Sequence, residues 1–203
     1  MIMPMFPLGT VLLPGVVLPL HVFEPRYQQL VRDCLDATTH PEFGVVLIDR
    51  GSEVGGGDVR SDVGVVARIL QVAAMDAGRF AIISVGTRRI KVTQWLPDDP
   101  YPRAEVEDWP DGDAQVSAER VATTATHARR CAGLAVEMGD RSNVPEGELS
   151  GDASSDSFLL AAISPFGPAD QYAVLCAADP ATRLDVIDGL LDDVEAGLRF
   201  RLG

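Results

Sequence analysis

The residues of this chain that are best suited to recognition chemistry surround one proline. Glu24 and Arg26 flank Pro25 at the start of a predicted helix, and Phe23 and Tyr27 lie just outside them. A carboxylate at a helix start is favoured by the helix dipole and can bond free N–H groups. An arginine nearby can pair with that carboxylate or with a backbone carbonyl. We favour a fold-stabilising use of this charged pair, with lining of a peptide groove as the alternative.

The cysteines and histidines form no recognised pattern. Three of each are present, at positions far apart in the sequence: Cys34, Cys131, Cys176, His21, His40 and His127. None of them has the spacing of a redox pair or of a metal site. We predict buried, reduced thiols, a hydrogen-bonded structural role for His21 in an apolar strand, and surface exposure for His127. No metal or cofactor is expected.

Motifs for nucleotide hydrolysis and proteolysis are missing. The glycine-rich stretch 55–57 lacks the G-K-[ST] of a phosphate loop, and no G-x-S-x-G sequence occurs. Lys91 is the only lysine, and it lies in a strand pattern beside two arginines, which indicates a solvated sheet face rather than a catalytic dyad. A Ser-His-Asp triad need not be contiguous in sequence, so a small hydrolase stays open as an alternative function.

Composition restricts the partners further. The 203 residues carry a formal net charge of −13, which disfavours nucleic-acid backbones and anionic membranes. Apolar residues make up 46%, enough for a core, but no apolar run is long enough to cross a membrane. No lysine or arginine precedes Arg26, and prolines stand at positions 4, 7, 14 and 19, so we expect no secretory signal and a cytoplasmic protein.

The first half of the chain has mostly the pattern of strands. Strands are predicted at residues 3–6, 16–22, 42–48, 63–74, 80–92 and 103–109, with turns at 14–15 and 76–79 and a glycine-rich loop at 51–62. One helix is predicted from Pro25 to about Ala37. Its apolar stripe has the spacing i, i+3, i+4, i+7, i+8 and consists of Tyr27, Leu30, Val31, Cys34 and Leu35. Gly64 and Gly86 indicate bulges or barrel corners.

The second half has helical periodicity. Helices are predicted at residues 114–138, 157–163, 168–178 and from Pro180 onward, with a flexible loop at 139–155. The first of these helices has a stripe of small side chains, and the last begins with Asp179-Pro180, a good N-cap pair. The layout predicts an α+β protein with a β-rich domain at 1–110 and a helical domain at 113–203.

Several stretches resemble one known family when they are taken together and in order. They are Phe6-Pro7-Leu8-Gly9, Val11 to Gly15, Leu18 to Tyr27, Val63 to Ile69, Asp76 to Arg79, Ile83 to Ile90, Tyr101 to Val106, Asp170 to Leu175 and Arg183-Leu184. They resemble the N-terminal domain of the Lon proteases, which also occurs as a free-standing protein. The resemblance implies a PUA-like β-barrel or pseudobarrel domain followed by a helical bundle. In the full proteases this region recognises substrate proteins and supports assembly. The sequence ends at Gly203, where the ATPase and protease modules would begin.

Three functions compete on this basis. The resemblance implies a non-catalytic module that binds unfolded protein or peptide segments, and we expect an adaptor or regulator in proteolysis or protein quality control. The alternatives are the small hydrolase and, from the PUA-like fold class, an RNA-binding protein. The candidate peptide site is the junction of Phe23, Glu24, Arg26 and Tyr27, with burial of Tyr27 and partial exposure of Phe23 favoured. An open sheet edge is the second candidate.

Overall fold

The computed structural model describes residues 1–37, 40–51, 57, 59–139 and 148–202. Within them the fold is a mixed α+β arrangement with one six-stranded sheet and five α-helices. The chain divides into two compact units, Met1–Pro110 and Asp111–Gly203. Whether each unit folds as an independent domain stays a prediction. No helix among the described residues is long and apolar enough to cross a membrane.

All six strands and one helix belong to the first unit. In chain order they are β1 (Ile2–Leu8), β2 (Val17–Val22), α1 (Pro25–Asp36), β3 (Glu42–Arg50), β4 (Val59–Ala74), β5 (Phe80–Leu96) and β6 (Arg103–Asp108). β4 therefore begins inside the predicted loop 51–62. Two of the three glycines in the predicted glycine-rich stretch, Gly55 and Gly56, lie outside the described residues.

The pairing of the strands closes into a ring. The sheet order is β2-β5-β4-β3-β1-β6, and β6 also pairs with β5. β1 and β3 are parallel, while every other pair is antiparallel. The predicted turn at 14–15 is present, with Gly15 at a φ of 81°, but the strands before and after it do not pair with each other. β2 pairs instead with the first half of β5, and the second half of β5 pairs with β6.

Two glycines permit close backbone approaches. A Cβ at Gly64 would lie 2.3 Å from the Val45 carbonyl oxygen, and one at Gly86 would lie 2.3 Å from the Leu13 carbonyl oxygen. The register of β4 against β5 shifts between Val65 and Ala67, next to Gly86. The bulge predicted near Gly86 is therefore present, and the missing side chain also lets the Leu13 backbone approach β5 closely.

The core of the first unit combines aliphatic strand residues with the apolar face of α1. One cluster joins eight buried side chains from five strands: Met3, Met5, Val46, Val66, Ile90, Val92, Ala104 and Val106. On α1 the predicted stripe is buried at Tyr27, Leu30, Val31 and Cys34, but Leu35 is 45% exposed. The stripe therefore ends one position earlier than the periodicity predicts.

The second unit is helical in its described part. Its helices are α2 (Ala118–Glu137), α3 (Ala153–Ile163), α4 (Pro168–Leu175) and α5 (Pro180–Leu202). Side-chain caps begin three of them: Ser117 accepts from the Arg120 N–H, Asp152 from the Ser155 N–H and Asp179 from the Thr182 N–H. The predicted loop 139–155 overruns the start of α3, and its residues 140–147 lie outside the described residues.

Candidate functional site

The predicted site is the short junction between β2 and α1. β2 ends at Val22, which pairs with Phe80 of β5, and α1 begins at Pro25. The proline fits the first helical position, since its missing N–H would have no partner there. Glu24 is the residue that precedes the helix, but its side chain makes no capping bond. Of the two uses that the sequence leaves open for the Glu24 carboxylate, helix capping is therefore not the one observed.

Glu24 pairs with Arg26 instead. The Arg26 Nε donates to Glu24 Oε2 at 3.1 Å, and both side chains are less than one-fifth exposed. The Arg26 guanidinium also lies over the Tyr27 ring, 4.6 Å from its centroid. The pair and the cation–π contact together hold the polar side of the junction in one conformation.

Tyr27 is part of the core. It is 4% exposed, and its ring stacks on Phe6 with centroids 4.0 Å apart and planes 11° apart. The Phe6 ring in turn lies beside the Phe43 ring, with their centroids 5.9 Å apart and their planes tilted by 46°. Stacked and tilted aromatic pairs of this kind stabilise a core beyond the area they bury. Tyr27 thus anchors α1 to β1 and β3 and is inaccessible to a large ligand.

Phe23 has the opposite environment. Its side chain is 57% exposed, although its backbone is fixed, because its carbonyl accepts from Gln28 Nε2 at 2.9 Å. Gln28 belongs to the first turn of α1, and its own N–H donates to the Glu24 carbonyl at 2.9 Å. The junction therefore presents one apolar ring to solvent from a rigid backbone, with a charged pair nearby. This arrangement suits apolar contact and offers no reactive group.

The sequence reasoning missed a cluster of polar residues between α2 and α5. His127 and Cys131 lie one helical turn apart on α2, and Glu195 lies on α5. One possible ligand atom from each lies within 4.8 Å of the others. The His127 side chain is 16% exposed, so its predicted surface position is wrong, and its Nε2 lies 3.2 Å from Glu195 Oε2. The i, i+4 spacing of His127 and Cys131 was the signal available in the sequence.

The electrostatics of this cluster favour a structural role. Burial opposes ionisation of Glu195, but its pKa is nonetheless lowered. The main causes are a hydrogen bond from Arg130 Nη2 to Glu195 Oε2 at 2.7 Å and the charges of Arg130 and Arg199. Burial and the neighbouring Glu195 raise the pKa of the Cys131 thiol, which is 0% exposed. A buried, protonated thiol is a poor nucleophile, and two arginines already neutralise the carboxylate. We interpret the cluster as an ion-pair network within the second unit.

A second buried polar group lies at Arg183. Its side chain is 0% exposed, its guanidinium pairs with both oxygens of Asp111, and it donates to Ser157 Oγ at 3.0 Å. It also lies over the Phe158 ring, 3.6 Å from the centroid. Every one of these partners belongs to the second unit, so the contact stabilises that unit rather than forming a catalytic triad.

The remaining candidate side chains are dispersed. His21 is exposed on β2, so its predicted structural role is not supported, and Lys91 is exposed on β5. Cys34 is buried on α1 and donates to the Glu42 carbonyl at 3.3 Å, and burial together with Asp33 raises its pKa to about 12. In the described residues the structure therefore brings Phe23, Glu24, Arg26 and Tyr27 together, but it assembles no reactive centre among them.

Comparison with known proteins identifies relatives along almost the whole chain. A family model described as "ATP-dependent protease La (LON) substrate-binding domain" matches residues 2–193. Among curated proteins, the Lon protease of Anaeromyxobacter dehalogenans is 31% identical over 109 residues, and that of Flavobacterium johnsoniae is 32% identical over 108. Each match covers 52% of this chain but only 13% of the protease.

Solved structures agree over a longer stretch. The Lon N-terminal domain protein from Xanthomonas campestris is 29% identical, with a TM-score of 0.68 and coverage of 91% of this chain and 95% of that one. The N-terminal domain of the Mycobacterium avium complex Lon protease has a TM-score of 0.63 at 21% identity, covering 95% and 99%. The second likeness concerns the fold alone.

Proposed function

Because this chain belongs to the ATP-dependent protease La (LON) substrate-binding domain family, we propose that it is a non-catalytic module that binds unfolded segments of other proteins. The observation that supports the proposal most directly is the exposed Phe23 ring on a fixed backbone. Aromatic side chains, Phe among them, are enriched at the core of protein interfaces. Within this proposal, Phe23 is the apolar anchor and the Glu24–Arg26 pair forms its polar rim.

The same proposal extends to the fold class and to the setting. We assign the closed sheet to the PUA-like barrels and the four helices of the second unit to the helical bundles. Cys34 and Cys131 are buried and form no disulfide, which supports a reducing, cytoplasmic location. An adaptor or regulatory role in proteolysis follows if the bound segments are passed to a protease. The charge of −13 argues against nucleic-acid partners.

Binding of a permanently unfolded protein tests this function. Fluorescence anisotropy with labelled, reduced and carboxamidomethylated α-lactalbumin would report the affinity of the wild-type chain. We expect Phe23→Ala to weaken binding about tenfold or more, which corresponds to about 1.4 kcal/mol or more, while stability changes by less than about 1 kcal/mol. Phe200→Ala is a matched control. It makes the same chemical change at a phenylalanine that is 89% exposed on α5.

Tyr27→Ala separates burial from binding at the same junction. Deleting this stacked, buried ring is expected to lower the free energy of unfolding by about 3–5 kcal/mol, as measured by urea denaturation. If Phe23→Ala binds the unfolded protein as tightly as the wild type and Phe200→Ala do, Phe23 is not the anchor. If the wild type itself does not bind, the proposed function is wrong.

A further inference from the structure

The second half of β4 is an uncovered sheet edge. β3 pairs with β4 only up to Arg68, and the Ile69 N–H donates to the Pro41 carbonyl at 2.9 Å. Beyond that point, residues 71–74 pair with β5 on one side, and no described residue pairs with their other side. The side chains there are exposed, with Leu70 at 55%, Val72 at 36% and Met75 at 42%. A row of unpaired N–H and C=O groups is a template for a further strand.

The hairpin fixes which backbone groups face outward. The Met75 N–H donates to the Arg79 carbonyl at 2.8 Å, so the backbone polar groups of Met75 point toward β5. Hydrogen-bonded and non-hydrogen-bonded pairs alternate along antiparallel strands. The backbone polar groups of Val72 and Ala74 therefore point away from β5. Their N–H and C=O groups are therefore available on the open edge.

β2 is the other edge of this part of the sheet, and its sequence protects it. The Gly86 N–H of β5 donates to the Val16 carbonyl. The backbone N–H and C=O groups of even-numbered β5 residues therefore point toward β2. Pro19 pairs with the odd-numbered Ile83 and therefore faces outward. A proline at that position has no N–H to offer, which is a common protection of an edge strand. The β4 edge has no such protection, since residues 70–75 read Leu-Gln-Val-Ala-Ala-Met, with neither proline nor charge.

We propose that an extended, uncharged and mostly apolar segment of an unfolded substrate protein adds to β4 as a further strand along residues 70–75. This inference rests on the proposed function and names the form in which the substrate binds. Main-chain bonds to Val72 and Ala74 give affinity without sequence specificity, and the exposed apolar side chains select apolar segments. A second copy of this chain is a poorer occupant, because two molecules of net charge −13 repel each other.

The open edge and Phe23 lie at the same end of this part of the sheet, at its two opposite edges. Val22, Phe80 and Ala74 form a single row across β2, β5 and β4. Neighbouring strands are about 4.8 Å apart, so the β2 and β4 ends of the row are separated by about 10 Å.

A proline on the open edge tests the inference. Val72→Pro removes the outward N–H, whereas Val17→Pro places the same substitution at an outward position of the β2 edge, where Pro19 already prevents strand addition. We expect Val72→Pro to weaken binding of the unfolded α-lactalbumin at least tenfold and Val17→Pro to change it less than twofold. Circular dichroism melting would confirm that both variants fold.

A second measurement uses the wild-type chain alone. A nine-residue peptide of Leu, Val and Thr with a lysine at each end is compared with its analogue methylated on alternate backbone nitrogens. We expect the methylated peptide to bind at least tenfold more weakly, because it cannot complete the ladder. Equal binding of both peptides, or undiminished binding by folded Val72→Pro, would overturn the inference while leaving the proposed function intact. Absence of any wild-type binding would overturn both. A wild-type dimer in sedimentation that Val72→Pro abolishes would show self-pairing instead and overturn the inference.

Discussion

The two units bury their interiors with different kinds of side chain. The first unit packs Val, Ile, Met, Phe and Tyr side chains from strands and α1, and its ion pairs lie partly exposed at the rim. The second unit has a stripe of small residues on α2, including Ala125 and Ala128, and buries the charged side chains of Arg183 and Glu195. Small side chains let helices approach closely but contribute little apolar area. Among the described residues, the first unit buries one charged side chain, Arg89, and the second buries three: Asp156, Arg183 and Glu195. The stability of the second unit therefore depends more on polar geometry.

The largest expected effect is the loss of the Arg183–Asp111 pair. Asp111→Ala leaves a guanidinium that is 0% exposed without its carboxylate. Removing one partner of a buried ion pair typically lowers stability by about 3–5 kcal/mol. Urea denaturation followed by helical circular dichroism should show this loss. A matched change at the exposed Asp185, Asp185→Ala, should lower stability by less than about 1 kcal/mol. Equal losses of stability in the two variants would show that the buried Arg183–Asp111 pair stabilises the second unit no more than an exposed ion pair does.

An intermediate effect is expected from enlarging the small-residue stripe. Ala128 on α2 is 0% exposed, and Ala128→Leu would force the facing helices apart. Overpacking of this kind typically lowers stability by about 1–3 kcal/mol. Ala122 lies on the exposed side of the same helix, so Ala122→Leu makes the identical change without crowding. Thermal melting of the two variants checks the prediction, and equal midpoints would contradict the close packing inferred for α2.

The smallest effect belongs to the ion pairs of the first unit. Burial opposes ionisation of Glu42, but hydrogen bonds from Arg88 and Arg68 outweigh it and hold its pKa below the ordinary value of 4.5. A lowered folded-state pKa means that the contribution is complete above the unfolded pKa and is lost as pH falls through the folded one. We expect Glu42→Gln to lower stability by about 1 kcal/mol at pH 7.

The pH dependence of that difference is the measurement. Denaturation at several pH values between 7 and 3 should show the wild type and Glu42→Gln converging as the solution becomes more acidic than pH 4.5. A difference that stays constant to pH 3 would mean that the Glu42 carboxylate is not stabilised by the two arginines.

Local signals in the sequence predicted the elements near the site well. The spacing of Tyr27, Leu30 and Val31 predicted the buried face of α1, and Asp179 begins α5 as its residue type indicates. The hairpin at 76–79 is present, with Ala77 and Gly78 both at positive φ. These features depend on residues close together in the chain, whose preferences are readable from the sequence alone.

Long-range features could not be predicted in the same way. Even the local choice of Glu24, which pairs with Arg26 rather than with the helix backbone, is left open by the sequence because both arrangements satisfy the carboxylate. Burial of Glu195 depends on Arg130 and His127, which lie on another helix. Glu195 nonetheless continues the spacing of Leu184, Ile187 and Leu191, and that spacing could have placed it on the buried face.

The double pairing of β6 has a consequence for how the chain reaches its fold. β6 joins β1 at Met3 and Ala104, some hundred positions apart, while its other edge bonds to β5. Contacts of such long range make folding slow, because the chain must close large loops before it gains their stabilisation. During synthesis β1 emerges first but cannot complete its ladder until β6 has left the ribosome. The nascent sheet therefore exposes an unpaired edge of β1 throughout that interval, and such an edge is a template for pairing with another chain.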